Sequence, residues 1–536
     1  MKVVIVGGVA GGATAATRIR RMSEDAEIII FERTAYVSYA NCGLPYYIGD
    51  EINDKSALTL QTPDSLYNRY RIKVKVSHEV LDIDSKERKV IVKDLKCGDV
   101  FEEHYDKLLL SPGAKPIKLE FLNNLDNVYS LRTVEDTYNI KKFIAANKPK
   151  RIAIIGGGFV GVEMAENIAS LGIEVTIIQK DSHLLNIVDR DIASFIHHHI
   201  KSKGVKLLLN TDAMELYKNN LLNYDMILVS IGVVPDNLLA VKAGLELGYR
   251  GSIKVNDQMQ TSDANIYAVG DAVAINNIVL HNDKMITLAG PANKQARVAA
   301  DNICGKVSHY QGSIASSIIK IFDMTVASTG ITENEAKANN LTYEKVILSP
   351  LNHASYYPGA MPLTLKVIYE KETLRILGAQ AVGYQGVDKR IDVIATAIFA
   401  NLKATELKDL DLAYAPPYSS AKDPVNMAGF IIDNIENGVV KQFSYEQISE
   451  LRKRDVILLD TRTDYEYQKG FASGFINIPL DSLRDNLHLL DKNKKVYVMC
   501  QSGLRSYLAT RILIQNGFDA YNFIGGYKLY SSIYND

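Results

Sequence analysis

The sequence is short of cysteine, of net charge and of long apolar runs, and each shortage removes a class of protein. Only four cysteines occur among 536 residues, Cys42, Cys97, Cys304 and Cys500, and they are widely scattered without close pairs. That scatter excludes a disulfide framework and the paired spacing of a zinc site, so no metal is expected and sulfur reads as reactive rather than structural. Basic and acidic residues almost cancel, 61 against 62, which predicts neither a nucleic-acid partner nor a membrane-surface patch; any phosphate site must be local. No apolar run is long enough to cross a bilayer. The chain opens directly on a strand with glycines behind it, so no signal or transit segment is expected and a reducing cytoplasm is the natural home. A length of 536 residues exceeds one hydrophobic core and predicts several domains.

What is present begins with a strand, Val3-Val4-Ile5-Val6, running into Gly7-Gly8-Val9-Ala10-Gly11-Gly12. A helical stretch through Arg21 follows, then a strand over 28–31 that ends in Glu32-Arg33. Glycines in such a turn let the backbone approach a pyrophosphate and seat it on a helix N-terminus, while an acid about 20 residues on can hold a ribose hydroxyl. Val9 replaces the usual middle glycine. The unit returns as Ile152-Ala153-Ile154-Ile155, Gly156-Gly157-Gly158-Phe159-Val160-Gly161, a helix, and Val175-Thr176-Ile177-Ile178. Here Gly156, Gly158 and Gly161 complete the fingerprint, but Gln179-Lys180 follows the strand, without the acid that would repel a 2′-phosphate. Lys180 reads equally as a phosphate ligand or a solvated loop cation, which leaves NADH against NADPH open. Two dinucleotide units imply two dinucleotides, and the usual chemical reason is hydride transfer from a nicotinamide to a flavin.

A third segment, Ala264-Asn265-Ile266-Tyr267-Ala268-Val269-Gly270-Asp271-Ala272, is a short strand closing on Gly-Asp. After two dinucleotide units it resembles the second flavin motif of the pyridine nucleotide-disulfide oxidoreductase superfamily, whose residue matching Asp271 holds the ribityl or phosphate region of FAD. Ser111-Pro112-Gly113-Ala114 and Ser230-Ile231-Gly232-Val233-Val234-Pro235 resemble that superfamily's crossover loops. The resemblance implies an FAD-binding domain over 1–110 and 240–309, interrupted by an NAD(P)H-binding domain over 111–239. It adds Arg33, Gly113, Gly232 and Ala289 to the expected cofactor contacts.

Cys42 lies in Ser38-Tyr39-Ala40-Asn41-Cys42-Gly43-Leu44-Pro45, with no second cysteine within a few residues. The pair for an internal redox disulfide is therefore missing. A lone thiol must form a mixed disulfide with a small-molecule thiol or oxidise to a sulfenic acid. The octapeptide resembles the single-cysteine branch, which contains coenzyme A-disulfide reductases, persulfide or polysulfide reductases, and NADH oxidases and peroxidases. Thr14, Arg18 and Arg21 fall at helical spacing and can share one face, which without context would read as a solvated basic face. In coenzyme A-disulfide reductases the residues matching Thr14, Arg18, Arg21, Ser38 and Asn41 contact coenzyme A, and the two cations suit its phosphates.

Leu288-Ala289-Gly290-Pro291-Ala292-Asn293-Lys294-Gln295 starts an Ala-rich helix, and Asn293 sits where some relatives carry a substrate-contacting His. An interface domain is expected over 310–430. It contains two polar, aromatic stretches, His353-Ala354-Ser355-Tyr356-Tyr357-Pro358-Gly359 and the run from Ala413 through Tyr414 and Tyr418 to Pro424. The resemblance implies that Tyr356 and Tyr414, supplied by a partner subunit, reach the catalytic sulfur, and that Lys422 contacts substrate. With Tyr357 and Tyr418 nearby, the one-residue assignment stays open. A phenol there can donate a proton to a departing thiolate, and the arrangement implies a homodimer.

After Asn426-Met427-Ala428-Gly429 that resemblance ends, and a linker through about residue 440 leads to a module over 441–536. Val456-Ile457-Leu458-Leu459-Asp460-Thr461-Arg462, Glu466-Tyr467 and Gly474-Phe475-Ile476-Asn477-Ile478-Pro479-Leu480 resemble the rhodanese pattern. A buried strand over 496–499 ends at Cys500, and Cys500-Gln501-Ser502-Gly503-Leu504-Arg505-Ser506 runs into a helix. Backbone amides and the positive helix end can surround that sulfur. The six-residue cradle from Cys500 to Arg505 resembles the sulfurtransferase loop, whereas related phosphatases have one residue more. Phe471 stands where many rhodaneses carry His, and Tyr530 lies near the position of a common Trp. The consecutive His197-His198-His199 cannot face one metal centre. Cys97 reads as a hairpin turn and Cys304 as packing.

The expected fold is α/β: two Rossmann-like dinucleotide-binding domains, an α+β dimerisation domain and a C-terminal α/β rhodanese domain. The expected activity is NAD(P)H-driven, FAD-dependent reduction of coenzyme A disulfide, coenzyme A persulfide or polysulfide through Cys42, with Cys500 and Arg505 handling sulfane sulfur. The fusion favours persulfide or polysulfide as the physiological substrate. The alternative is an NADH oxidase or peroxidase in which Cys42 cycles through sulfenic acid. A sulfur-responsive binding protein would instead hold FAD without turnover.

Overall fold

The computed structural model describes residues 1–219 and 223–534. They gather into two compact units, Met1–Ser182 with Gly204–Ala315, and His183–Lys203 with Ser316–Asp536. Among the described residues no helix is long and apolar enough to cross a membrane.

The first unit contains two five-stranded parallel sheets. In one, the strands run in the order Ile266–Ala268, Lys107–Leu110, Lys2–Val6, Glu27–Glu32, Lys73–Val76. Val6 pairs with Phe31 on one side and with Leu110 on the other. Val3, Val4, Ile5, Leu108, Leu109 and Leu110 are all fully buried, as near-continuous apolar strands covered on both faces must be. The chain therefore leaves the carboxyl end of a central strand at Gly7, where open α/β sheets bind ligands. Helix Ala10–Met22 buries Gly11, Gly12, Ala13, Ala15 and Ala16 and packs on helix Ala289–Ile303, whose small residues allow close approach.

The second sheet repeats the plan, in the order Lys206–Leu208, Glu174–Ile178, Arg151–Ile155, Met226–Val229, Val128–Tyr129. The two stretches read as crossover loops pair with each other, Ala114–Pro116 antiparallel to Val233–Pro235. A three-stranded antiparallel meander, His78–Asp84, Lys89–Asp94 and Val100–His104, carries Cys97 in its last turn.

In the second unit an antiparallel sheet runs Ser317–Ile321, Met324–Gly330, Ile376–Gly383, Thr364–Glu370, Tyr343–Leu348. A parallel sheet runs Lys441–Phe443, Ala520–Phe523, Val496–Met499, Ile457–Asp460, Ile476–Asn477. Along its central strand Val496 and Val498 belong to one apolar cluster, Tyr497 and Met499 to the other, so both faces are covered. Helix Arg190–Ser202 also belongs to this unit, packed on Ile376–Gly383 and on helix Gly526–Tyr534.

The stretch after Gly429, expected to be a linker, is instead the second half of helix Pro424–Glu436. No glycine or proline interrupts it before Gly438, whose φ of +68° ends the helical path, and Ile432 is fully buried. An apolar helical face carries the join as helix as far as Glu436.

Candidate functional site

The two glycine turns are built alike. Gly7 has φ +91°, and a Cβ on it would lie 2.2 Å from the Ser111 carbonyl oxygen. Gly156 has φ +105°, and its Cβ would lie 2.2 Å from the Ser230 carbonyl oxygen. Side chains on Gly12 and Gly161 would collide with the carbonyls of Gly7 and Gly156, at 1.8 and 2.0 Å. Only glycine lets strand, turn and crossover loop meet so closely. The position between them is permissive: Val9 has φ −97°, and its counterpart Gly158, at φ −79°, would meet nothing within 4 Å. Neither following helix has a side-chain cap, so their first N–H groups face outward as an anion site does.

Each turn is fastened to the next strand by one side chain. The Gly8 N–H donates to Glu32 Oε2 at 2.8 Å, and Oε1 accepts from the Thr34 N–H at 2.9 Å. In the second unit the Gly157 N–H donates to Gln179 Oε1 at 2.8 Å, so a neutral amide holds the place of the acid. Lys180 is 79% exposed and pairs with Asp212 at 3.1 Å. If the second turn holds the nicotinamide nucleotide, as its fingerprint leads one to expect, Gln179→Glu keeps the acceptor for Gly157 and adds a negative charge beside the ribose 2′ position. It is expected to lower kcat/KM with NADPH about tenfold or more while leaving NADH nearly unchanged. Steady-state kinetics with both cofactors check this; an unmoved ratio would mean the ribose is read elsewhere.

A cleft of about 540 Å³ unites the first turn with the Cys42 segment, a size within the range of cofactor sites. Gly7, Val9, Ala10, Gly11, Glu32 and Arg33 line it, with Gly8 and Gly12 buried behind. Gly113, Gly270, Asp271 and Ala289 continue its wall. Ser38, Asn41 and Cys42 line it too, together with Thr14 and Asn293, whose side chains hydrogen-bond at 2.5 Å. Arg18 and Arg21 do not line it: Arg18 pairs with Asp301 at 2.7 Å, and Arg21 is exposed. Gly232, at φ +111°, belongs to the second turn's crossover loop. Size, glycine cradle and uncapped helix end all fit a dinucleotide.

Cys42 sits in the short 3₁₀ turn Asn41–Gly43 that leads into helix Leu44–Ile48. The segment is pinned to the glycine turn, because the Ser38 N–H donates to the Gly8 carbonyl at 2.8 Å and Ser38 holds φ +50°. A non-glycine residue in that region stores strain of about 1–3 kcal/mol, tolerated where the surroundings fix it. Cys42 is exposed, and among the described residues lining the cleft it is the only cysteine. Desolvation pushes its thiol up; the carboxylates of Glu163 and Asp271 push the same way, and Arg132 opposes them. Burial, with Glu166 beside it, raises Glu163 itself to about 7.

Several of these groups carry little sequence signal. Arg132 pairs with Asp271 at 2.6 Å from an ordinary stretch before helix Val134–Asn147. Asp236 bridges Arg33 at 2.7 Å and Lys115 at 2.8 Å, and only its place directly after the second crossover loop hints at it. Glu163 is findable, two residues beyond the last glycine of the second fingerprint.

In the second unit the two expected tyrosines meet: Tyr356 Oη and Tyr414 Oη are 2.8 Å apart. Tyr357 packs edge-on against His353, and Tyr418 is exposed. The two stretches are stapled by buried Arg390, which donates to the Asn352 carbonyl, Ser419 Oγ and Asp423 Oδ2 at 3.0, 3.0 and 2.9 Å. Lys422 is exposed beside Asp423, which caps helix Pro424–Glu436.

Cys500 is 1% exposed, and its sulfur accepts from the Gly503 N–H at 3.1 Å and Ser506 Oγ at 3.3 Å. Gly503 needs φ +106° to turn its amide inward. Arg505 points to Glu466. Phe471 stacks on Tyr467 with ring centroids 4.8 Å apart, and Tyr530 Oη lies 2.9 Å from Arg452 Nη2. His197, His198 and His199 take three separate partners, the Leu184 N–H, the Ser532 carbonyl and Asp323. The carboxylates of Asp189, Asp191 and Glu333 converge as metal ligands could, but the Lys366 ammonium sits among them.

Residues 1–296 match the family described as pyridine nucleotide-disulphide oxidoreductase. The chain belongs to that family. Residues 316–424 match the dimerisation domain of the pyridine nucleotide-disulphide oxidoreductases, and 444–533 match the rhodanese-like domain. A coenzyme A disulfide reductase of Staphylococcus aureus is 37% identical over 437 residues, 80% of this chain and 99% of that protein. The crystal structure of reduced Bacillus anthracis CoADR-RHD is 44% identical with TM-score 0.97, covering 100% of this oxidoreductase and 98% of that chain. A NAD-dependent persulfide reductase from A. fulgidus is 34% identical with TM-score 0.93, covering 100% of both chains. The water-forming NADH oxidase of Lactobacillus brevis is more distant, 26% identical with TM-score 0.77 over 82% of this chain and 99% of that one. The architecture of the oxidoreductase is thus the one its motifs predict.

Proposed function

We propose that this oxidoreductase uses NAD(P)H to reduce coenzyme A disulfide, coenzyme A persulfide or polysulfide through Cys42, with its rhodanese domain carrying sulfane sulfur on Cys500. One observation carries the reading: a single thiol lies exposed in the cleft that also holds the first glycine turn and Asp271. A lone thiol beside a dinucleotide cradle has no internal partner and must exchange with a small-molecule sulfur compound. The relatives named for disulfide and persulfide reduction support it, and two of them share the rhodanese-bearing length.

The first turn, Glu32, Arg33, Gly113, Asp271 and Ala289 would hold FAD; the second turn, Gln179, Lys180 and Gly232 would hold the nicotinamide nucleotide. Bound FAD supplies two-electron chemistry between nicotinamide and sulfur. The chain's own residues do the rest. The Cys42 thiolate attacks one sulfur of the disulfide, the S–S bond breaks, and one thiolate leaves while Cys42 keeps the other half as a mixed disulfide. Two electrons and a proton then release the second thiol and restore the Cys42 thiolate. Thr14, Ser38, Asn41 and Asn293 border the cleft where the thiol partner arrives; exposed Arg21, on the same helix as Thr14, is the cation open to its phosphates, whereas Arg18 is held by Asp301. Glu163, near 7, can exchange a proton at neutral pH. The Tyr356–Tyr414 pair serves the sulfur of a second subunit in a homodimer. The proposed compartment is the cytoplasm.

An NADH oxidase is the rival. With oxygen and peroxide removed, NAD(P)H oxidation driven by coenzyme A disulfide is expected to continue and to yield two free thiols per nicotinamide. If turnover stops without oxygen, the reductase reading fails.

A further inference from the structure

Glu466, on helix Asp464–Gln468 of the rhodanese fold, is held by four hydrogen bonds. Arg505 donates to both its oxygens, Nη1 to Oε2 and Nη2 to Oε1, each at 2.7 Å. The Thr463 N–H and hydroxyl donate to Oε2 at 2.9 and 3.0 Å. The Thr463 contacts are the helix's own capping box, so the carboxylate is fixed independently of Arg505 and draws the guanidinium to itself. The hydrogen bonds from Arg505 keep Glu466 ionised, with its carboxyl lowered to about 2.

The other cations of this region are paired or directed away from the loop. Arg462 pairs with Asp460 at 2.8 Å and stacks on Tyr527 at 3.7 Å. Lys528 sends its backbone N–H to the Gln501 carbonyl but places its ammonium over the Phe195 ring, 5.5 Å from the centroid. Of the loop's remaining side chains, Gln501, Ser502 and Leu504 are uncharged, and Leu504 is exposed. Around Cys500 the described residues therefore offer dipoles, the Gly503 amide and Ser506 hydroxyl, and a closed ion pair in place of an open cation.

We propose that Glu466 sets the donor selectivity of Cys500: by closing on Arg505 it leaves a cradle that accepts organic persulfides and disfavours dianionic oxyanion donors such as thiosulfate. The inference rests on Cys500 being a sulfur carrier. In the transfer step the Cys500 thiolate attacks the donor's outer sulfur, a new S–S bond forms as the donor's S–S bond breaks, and the donor leaves as a thiolate. From thiosulfate the leaving group is sulfite, a dianion that the closed Arg505–Glu466 pair leaves without a loop cation to receive it. Cyanide can then take the outer sulfur from Cys500 as thiocyanate, which restores the thiolate without any added oxidant or reductant. Glu466 touches neither donor nor acceptor and is a positioning residue.

The test uses the full chain without NAD(P)H, following thiocyanate formation from cyanide with 2-mercaptoethanol persulfide or thiosulfate, corrected for the uncatalysed background. The native protein is expected to favour the persulfide in kcat/KM by about tenfold or more. Glu466→Gln preserves the capping box, which glutamine also completes, and frees the Arg505 charge. It is expected to raise kcat/KM for thiosulfate about tenfold, with little change for the persulfide and a gain that shrinks at high salt. Adding Arg505→Gln should abolish that gain. Native turnover of thiosulfate as fast as persulfide overturns the proposal even if the variant fails to fold, and so does a Glu466→Gln change that moves both donors alike, the mark of a merely structural residue. Cys500→Ser separates the two levels: thiocyanate formed equally by that variant sinks the carrier reading itself.

Discussion

Cys42→Ser is expected to lower NAD(P)H-driven reduction of coenzyme A disulfide and persulfide by about a thousandfold or more, while FAD content and Cys500-dependent thiocyanate formation stay at native levels. The size of the effect follows from the chemistry of the replaced atom. A serine hydroxyl stays protonated at any working pH and is a poor nucleophile without an adjacent base, and an oxygen cannot hold the second sulfur as an exchangeable disulfide. Stability should hardly change, because Cys42 is exposed in the cleft and the short turn around it is fixed by backbone hydrogen bonds from Ser38, Asn41 and Gly43. Exposed substitutions away from caps and cores usually fall within about 0.5 kcal/mol. Anaerobic stopped-flow or steady-state oxidation of NAD(P)H with each sulfur substrate reads the loss. A variant that keeps a tenth of native turnover would show that electrons reach the substrate without this sulfur, and the lone-thiol mechanism would have to be abandoned.

Both glycine turns were legible in the sequence because their constraint is local. Gly7, Gly12, Gly156 and Gly161 are each required by a carbonyl within 2.2 Å of where a side chain would begin, and strand, turn and helix all lie within about 30 residues. The Cys500 cradle was legible for the same reason: sulfur, amides and helix end are consecutive. Arg132, Asp236 and Arg390 were not. Their partners Asp271, Arg33 and Asn352 lie far away in sequence, so nothing at the residue itself marks it. The Arg505–Glu466 pair is intermediate, since both residues stand in recognisable motifs but their contact spans 39 positions. The helical form of the stretch after Gly429 was not legible either. The sequence marked a change of domain but not the conformation of the join, which is helical to Glu436 because one face there is apolar and packs.

The largest effect on stability is expected from Lys366→Met, about 3–5 kcal/mol lost from the second unit. Lys366 is fully buried and its ammonium lies 2.9 Å from Asp189 and 2.8 Å from Asp191, with Glu333 a third partner. Gln380 and Tyr343 donate to the same carboxylates. Lys345 extends the network from Glu333 to Glu446 at the start of the rhodanese fold, at 2.9 and 2.8 Å. Burial works to raise Glu333, but Lys366 and Lys345 outweigh it and hold its carboxyl at about 2; burial wins at Asp191, which is raised. Methionine fills the same volume, so packing survives. What is lost is the cation, and three converging carboxylates are left in a medium that penalises unpaired charge. The pH dependence distinguishes this from a packing defect. A carboxyl whose folded value lies below its unfolded one, as at Glu333, stabilises the fold above about pH 4.5 and ceases to as pH falls toward 2. The gap between native and variant should therefore be widest near neutrality and narrow as pH falls, first as the orphaned carboxylates, raised by burial, take up protons, and then below about 4.5 as Glu333 ceases to stabilise the native protein. Adding Asp191→Asn should recover part of the loss by removing one of the unpaired charges. Chemical denaturation across pH measures both; a gap that stays constant with pH would place the effect in packing and remove the ion cluster from the account of how helix Arg190–Ser202 is held.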